Sequence, residues 1–288
     1  MVTIGKIIKS FRNDLKTFLN PNELFAIESL VFEHFLNFSR TDIVLKPEFE
    51  VPPEIIPKLE DVISRLKNHE PIQYILGKTF FYRLWFRVSP EVLIPRPETE
   101  ELVDWVVTEN NSAKNINILD IGTGSGCIAV SLAKFLKNST VSAFDISESA
   151  LEIARLNAME NKTIVEFMKY DIIKEGNSDY PQKFDVIVSN PPYVLEYEMN
   201  TMKKNVLDFE PGLALFVKDD DPLVFYRAIA DFSQKNLNPG GKLYVEINEA
   251  FGNETTNIFR RAGFMDVALK KDINDKDRMI YAKKSNHG

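Results

Sequence analysis

Residues Asn190-Pro191-Pro192-Tyr193 carry the groups that a poor nitrogen nucleophile needs. Two consecutive prolines lock the backbone, so the carbonyls of Asn190 and Pro191 stand at fixed positions. Together with the Asn190 side-chain oxygen they accept hydrogen bonds from an NH2 group, and the Tyr193 ring offers a face to a planar group. The pattern therefore selects a planar nitrogen, either an amide or the exocyclic amine of a base. The lone pair of such a nitrogen is delocalised and attacks weakly. Holding both hydrogens aims the nitrogen at an activated methyl, and fixed acceptors favour the positive charge that develops there. No general base is obvious in the sequence, because the nitrogen becomes acidic only after methylation and can then lose its proton to water.

A second cluster supplies the other half of such a reaction. Glycine is scarce at 12 residues, yet Gly122-Thr123-Gly124-Ser125-Gly126 holds three of them directly after the apolar run Ile116–Ile121. Glycine permits positive φ and lets a ligand approach the backbone, and a following helix aims its N–H groups at that ligand. Asp145, 23 residues beyond Gly122 at the end of the next apolar run, is placed to accept both hydroxyl hydrogens of a ribose. The nucleoside then belongs to NAD, FAD or S-adenosylmethionine. Asp171, past a third run, can accept an adenine amino hydrogen with Ile172 against the ring, or it is a solvated turn aspartate. No Gly-Lys-Ser/Thr ending is present, so phosphoryl transfer has no support. Cys127 follows the loop with no histidine near it in sequence and reads as a small helix-facing residue.

Composition narrows the field. The 288 residues carry a net charge of −7, and the first ninety hold 12 basic against 11 acidic side chains, so neither half is basic. That argues against a protein built to coat nucleic acid. One cysteine rules out an internal disulfide, and with His34, His69 and His287 it makes no zinc constellation. No apolar run approaches a bilayer span and the start lacks a signal-peptide pattern, so a cytoplasmic location is expected.

The elements that must hold these residues follow from periodicity. Ile4, Ile7, Ile8, Phe11, Leu15 and Phe18 form one helical stripe. Leu24, Ile27, Val31, Phe35 and Phe38 form a second, and Ile56, Leu59, Val62, Ile63 and Leu66 a third that stops near Pro71. A helical bundle over 1–77 is predicted, read either as a packing module or as a docking domain for a macromolecular substrate. Residues 78–99 begin with β-formers in rough alternation, from Phe80 to Leu93, and read as a hairpin linker. The run Ile94–Glu100, with Pro95 and Pro97, leads into a helix and is read as a brace between domains or as part of a substrate pocket. From about residue 100 to 288 strands alternate with helices. Strands are predicted at 116–121, 141–145, 164–168, 184–189, 242–247, 267–270 and 279–283, with a helix capped by Ser147 at 148–159. The alternation predicts a parallel sheet, with binding at the carboxyl ends of its strands.

These motifs together resemble a known family. Asp120-Ile121-Gly122-Thr123-Gly124-Ser125-Gly126 with Asn190-Pro191-Pro192-Tyr193 is similar to S-adenosylmethionine-dependent methyltransferases that act on amino groups. Pro71–Gly77, Ile94–Glu100, Ser189–Val194 and Phe209-Glu210-Pro211 bring the resemblance to the PrmC/HemK family, the glutamine methyltransferases of peptide chain release factors. The resemblance spans about residues 70 to 283. It implies the class I, Rossmann-like α/β fold with a seven-stranded sheet. It also implies methyl transfer to the side-chain amide nitrogen (N5) of the glutamine in the Gly-Gly-Gln motif of class-1 release factors, with S-adenosylhomocysteine as product and no metal. By motif, Gly122, Thr123, Gly124, Ser125 and Gly126 line the cofactor, Asp145 holds its ribose, and Asp171 and Ile172 border the adenine. Asn190, Pro191, Pro192 and Tyr193 hold the glutamine, with Asn190 also beside the cofactor. A release factor is then the partner, with no direct nucleic acid or membrane contact and a monomeric chain.

Two other readings compete with this one. An adenine-N6 methyltransferase acting on DNA or RNA uses the same tetrapeptide on a flipped base, but the acidic balance and the missing basic stripe oppose it. A non-catalytic adaptor that binds a release factor through the bundle is opposed by the intact Asn-Pro-Pro-Tyr.

Overall fold

Helical stripes and strand alternation divide the chain much as their periods require. The structure is a computed structural model that describes residues 2–113, 115–176 and 180–286; His287 lies outside them. Two compact units result: residues 1–77 with 203–209, and residues 78–202 with 210–288.

The first unit contains α1 (Ile4–Leu15), α2 (Pro21–Leu36), α3 (Arg40–Leu45), α4 (Ile56–Lys67) and α5 (Ile72–Leu76). Asn20 starts α2 by accepting from the N–H groups of Asn22 and Glu23, and Asn37 ends it in the left-handed conformation at φ 54°. Ile4, Phe11, Leu15, Val31, Phe32, Leu59 and Val62 form the core, whereas Phe18 falls past the end of α1 and is exposed. Among these helices Glu28 is buried, and Arg12 holds it with two parallel hydrogen bonds of 2.7 and 2.8 Å. The sequence reading lacks α3 and α5, each too short to show a period; a capping box between Ser39 and Asp42 starts α3. Residues 203–209, read from sequence as part of the second domain, cluster with the first unit; a seven-residue excursion leaves no compositional mark.

The second unit opens with β1 (Lys78–Phe81) and β2 (Leu84–Arg87), an antiparallel hairpin. Its turn residues Tyr82 and Arg83 both have positive φ, 42° and 67°, the signature of a two-residue primed turn. Phe81 and Phe86 are buried in the same core as Leu102 and Val106, so the hairpin is integral to this unit. Then follow α6 (Pro97–Asn110), β3 (Ile116–Ile121), α7 (Cys127–Phe135), β4 (Ser139–Asp145), α8 (Glu148–Glu160), β5 (Glu166–Lys169) and β6 (Phe184–Ser189). The chain closes with α9 (Val224–Asn236), β7 (Leu237–Glu246), α10 (Gly252–Arg261), β8 (Met265–Lys271) and β9 (Asp277–Lys283).

Among the described residues these strands form a seven-stranded sheet in the order β8-β9-β7-β6-β3-β4-β5. Successive residues serve opposite faces: Ile118, Val186 and Val188 pack beneath α6 and α7, while Leu119, Ile187 and Val245 pack with Tyr226, Ile229 and Phe232 of α9. The expectation of a wholly parallel sheet is corrected at β9, which runs antiparallel to both β7 and β8. The reason is length. Only residues 272–276 join β8 to β9, and a parallel connection needs a dozen or more. The strand expected at 164–168 begins two residues later, since Ile164 is almost fully exposed.

From β3 the chain runs outward to β4 and β5 and then returns to β6 on the other side of β3. Such a reversal opens a crevice at the carboxyl edge of the sheet. Register places Ile121, Phe144, Ser189 and Val245 level across β3, β4, β6 and β7. The residues just after each of them therefore meet at that crevice.

Candidate active site

The loop after β3 is shaped by backbone geometry. Gly122, Gly124 and Gly126 have φ of 75°, 53° and 79°, and the N–H groups of Gly122 and Thr123 both donate to the Phe144 carbonyl of β4 at 2.9 Å. A Cβ built on Gly124 meets nothing within 4 Å, and one on Gly122 meets only the Asn190 carbonyl at 4.0 Å. Open space therefore faces these two positions. At Gly126 the opposite holds: a Cβ there would lie 3.0 Å from the Ala154 Cβ of α8. Gly126 is a packing glycine, whereas Gly122 and Gly124 border a cradle.

Beneath the loop Asp120 is fully buried. Its Oδ2 accepts from the Thr123 hydroxyl at 2.6 Å and from the Ala129 N–H in the first turn of α7 at 3.2 Å, which ties strand, loop and helix together. Its Oδ1 is buried without a protein partner, and burial pushes the carboxyl up to about 7. From α8 the buried Asn157 donates to the carbonyls of Ser125 and Arg87, clamping the loop to the hairpin. Cys127 is buried and its thiol is pushed up to about 12 by burial, which leaves it protonated and inert.

Asp145 ends β4 beside the cradle. Its Oδ2 accepts from the Gly124 N–H at 2.8 Å and its Oδ1 from the Ser147 N–H at 2.9 Å, so each oxygen keeps a further lone pair for a hydroxyl. Burial raises its carboxyl above the usual range against these backbone donors. Asp171 is the N-cap of the one-turn helix Ile172–Glu175: its Oδ1 accepts from the N–H groups of Ile173 and Lys174, and Lys174 Nζ lies 3.3 Å from Oδ2. Ile172 is 9% exposed and packs into the core with Leu119, Ile121 and Phe144. The structure thus gives both residues a structural task at the end of β5.

The Asn-Pro-Pro-Tyr segment leaves β6 at the same edge, where the Ser189 hydroxyl donates to the Ile121 carbonyl at 2.7 Å. Asn190 Nδ2 donates to Thr99 Oγ1 at 3.1 Å, and Thr99 donates onward to Glu246 Oε2 at 2.7 Å. Tyr193 donates its hydroxyl to Glu246 Oε1 at 2.9 Å, and its carbonyl accepts from Asn248 Nδ2 at 3.0 Å. Thr99 and Glu246 are almost wholly buried. Burial raises the Glu246 carboxyl while Thr99, Tyr193 and the charge of Arg278 favour its ionised form; burial also pushes the Tyr193 phenol well above its usual range. With one hydrogen of Asn190 Nδ2 given to Thr99, the carboxamide is oriented with its nitrogen toward Thr99 and its oxygen at the other end.

The sequence assigns no role to Glu246 and Asn248, and Thr99 enters there only as a member of the run Ile94–Glu100. A signal for Glu246 existed, since a carboxylate closing an apolar strand next to β6 must arrive at the same sheet edge. Glu210 is another: it is buried, accepts from the Ile94 N–H at 3.2 Å, and forms an ion pair of 2.5 Å with Arg96. The run Ile94–Glu100 is therefore anchored at both ends within this unit, by Arg96 to Glu210 and by Glu100 to the Tyr82 N–H at 3.0 Å. Among the described residues no group of three or more His, Cys, Asp or Glu side chains could hold a metal ion, and no helix is long and apolar enough to cross a membrane.

Comparison with known proteins decides the family. Residues 99–209 match the profile described as the methyltransferase small domain, and residues 7–77 match the PrmC N-terminal domain. A release factor glutamine methyltransferase of Flavobacterium psychrophilum is 45% identical over 281 residues, covering 95% of this chain and 98% of that protein. The chain belongs to the release factor glutamine methyltransferase family. A second member, from Bacteroides thetaiotaomicron, is 46% identical over 279 residues, covering 97% of this chain and 99% of the relative. The resemblance drawn from the motifs is thus correct, and this family member carries a methyltransferase fold. The fold also resembles the 16S rRNA N2 G1207 methyltransferase of T. thermophilus, solved with AdoMet and guanosine, at a TM-score of 0.50 and 14% identity over 72% of this chain and 49% of that one.

Proposed function

We propose that this protein transfers a methyl group from S-adenosylmethionine to the side-chain amide nitrogen of the glutamine in the Gly-Gly-Gln motif of class-1 release factors. The observation that carries the reading is the Asn190 carboxamide, held by its NH2 so that its oxygen remains to accept, next to a glycine cradle open in front of Gly122 and Gly124. The cradle fits a nucleoside cofactor: Gly122 and Gly124 border it, Asp145 offers its two spare lone pairs to the ribose hydroxyls, and Asp171 and Ile172 lie at the end of the next strand for the adenine. S-adenosylmethionine supplies an activated methyl there.

In this reading the Asn190 oxygen and the fixed carbonyl of Pro191 accept the two hydrogens of the glutamine amide, while Tyr193 and the prolines confine its plane. Taking both hydrogens turns the nitrogen lone pair toward the methyl and stabilises the charge that appears as the new C–N bond forms. The extra proton then leaves to water. The bundle docks the release factor, the chain works as a monomer in the cytoplasm with its translation-factor substrate, and neither nucleic acid nor membrane is contacted.

Tritium-labelled S-adenosylmethionine, offered to the purified protein with a release factor and with DNA and RNA in parallel, tests the reading. Label is expected in the release factor. Label in adenine with none in the release factor overturns it in favour of the exocyclic amine that the same tetrapeptide can accept.

A further inference from the structure

The hydrogen bonds behind Asn190 have a direction. The hydroxyls of Thr99 and Tyr193 donate to the two oxygens of Glu246 at 2.7 and 2.9 Å, so both oxygens serve as acceptors. The Thr99 hydroxyl carries a single hydrogen, which Glu246 takes. Toward Asn190 it can then only accept, and the partner it finds at 3.1 Å is the Asn190 NH2. Turning the carboxamide over would set its oxygen against the Thr99 oxygen with no hydrogen between them. In a buried setting an unpaired polar contact of that kind is strongly disfavoured.

We infer that Glu246, acting through Thr99, is the positioning residue that fixes which end of the Asn190 carboxamide meets the substrate, making Asn190 an acceptor for an NH2 group and not a donor. This inference rests on the function proposed above. It deepens that reading, because an acceptor at Asn190 admits an amide or amino nitrogen and turns away a carbonyl oxygen offered in the same place. Selectivity for the nitrogen of a glutamine side chain over its oxygen, the two being alike in shape, thereby originates at a carboxylate two hydrogen bonds behind Asn190. Tyr193 shares the same anchor, so one buried group aligns both the acceptor and the ring of the tetrapeptide.

Four proteins separate this role from a merely structural one: wild type, Thr99→Ser, Thr99→Val and Glu246→Gln. Serine keeps the hydroxyl, valine keeps the shape without it, and glutamine can donate toward Thr99 and release its hydrogen for Asn190. The kcat for release-factor methylation is expected to fall about 10- to 100-fold in Thr99→Val and Glu246→Gln, with KM and cofactor affinity unchanged, and to recover in Thr99→Ser to within about threefold of wild type. Wild-type kcat in Thr99→Val, or equal loss in Thr99→Ser and Thr99→Val, overturns the inference. A second readout needs no substrate. In the NMR spectrum, one hydrogen of the Asn190 side-chain NH2, assigned by its disappearance in Asn190→Ala, is expected to exchange slowly in wild type and Thr99→Ser and fast in Thr99→Val. Identical exchange in all three overturns the inference. If wild type leaves the release factor unmethylated, the proposed function falls, and this exchange pattern still decides the direction of the network.

Discussion

Replacing Gly124 and Gly126 by alanine separates the two jobs that the glycine loop performs. Both residues have positive φ, 53° and 79°, where a Cβ costs about 1–2 kcal/mol. Gly124→Ala adds no contact within 4 Å, so that strain is its whole cost to folding. At Gly126 the added Cβ lies 3.0 Å from the Ala154 Cβ and 3.2 Å from its Cα, both fixed in α8, and overpacking of this kind costs about 1–3 kcal/mol more. The expected losses are about 1–2 kcal/mol at Gly124 and about 2–5 kcal/mol at Gly126. Urea unfolding followed by tryptophan fluorescence reads them out in the relevant unit, because both tryptophans, Trp85 and Trp105, belong to residues 78–202. Cofactor affinity is expected to rank the other way. The Gly124 Cβ enters the open cradle and should weaken S-adenosylmethionine binding more than tenfold, roughly 1.4 kcal/mol or more by calorimetry. Equal destabilisation by the two substitutions, or unchanged cofactor affinity in Gly124→Ala, would refute the reasoning.

Asp145→Ala is expected to weaken S-adenosylmethionine binding by about 1.5–3 kcal/mol, the scale of a lost charge-assisted hydrogen bond; unchanged affinity in calorimetry rules out the ribose assignment. Asp120, whose carboxyl burial raises from 3.8 to about 7, binds its proton more tightly folded than unfolded. Its contribution is thus full below about pH 4 and is lost as pH climbs through about 7, a loss on the order of 4 kcal/mol. Urea unfolding across pH 4–8 should show that decline in wild type and a flatter profile in Asp120→Asn; parallel profiles contradict it. Arg96→Ala leaves the buried Glu210 carboxylate with only the Ile94 N–H and should cost about 2–4 kcal/mol in the same assay, much of it restored by adding Glu210→Gln. A loss that Glu210→Gln leaves untouched would show that Arg96 acts through packing alone.

The long helices and the sheet strands can be read from sequence because each buries one face with its own period: Ile4, Ile7, Phe11 and Leu15 every three or four residues, and Val186 and Val188 against Ile187 every two. The antiparallel β9 escapes such a reading, since strand direction depends on connection length and pairing, which the alternation of residues does not encode. The same division holds in the site. Asn190, Tyr193, the glycines and Asp145 announce themselves by residue type at strand ends, whereas Thr99 and Glu246 stand 147 positions apart and acquire their link only when α6 and β7 come together. Asp171 shows the converse: a residue with a plausible ligand role by position is also the cap that starts a helical turn. Long-range hydrogen bonds of this kind are a property of the folded sheet edge.

Peptide mass spectrometry of a release factor incubated with the purified protein and S-adenosylmethionine tests the central claim most directly. The account predicts a single added methyl on the side-chain amide of the Gly-Gly-Gln glutamine, lost when that glutamine is changed to glutamate and lost with the Asn190→Ala enzyme while its cofactor binding survives. A methyl placed on any other residue, or retained when the glutamine is changed, contradicts it.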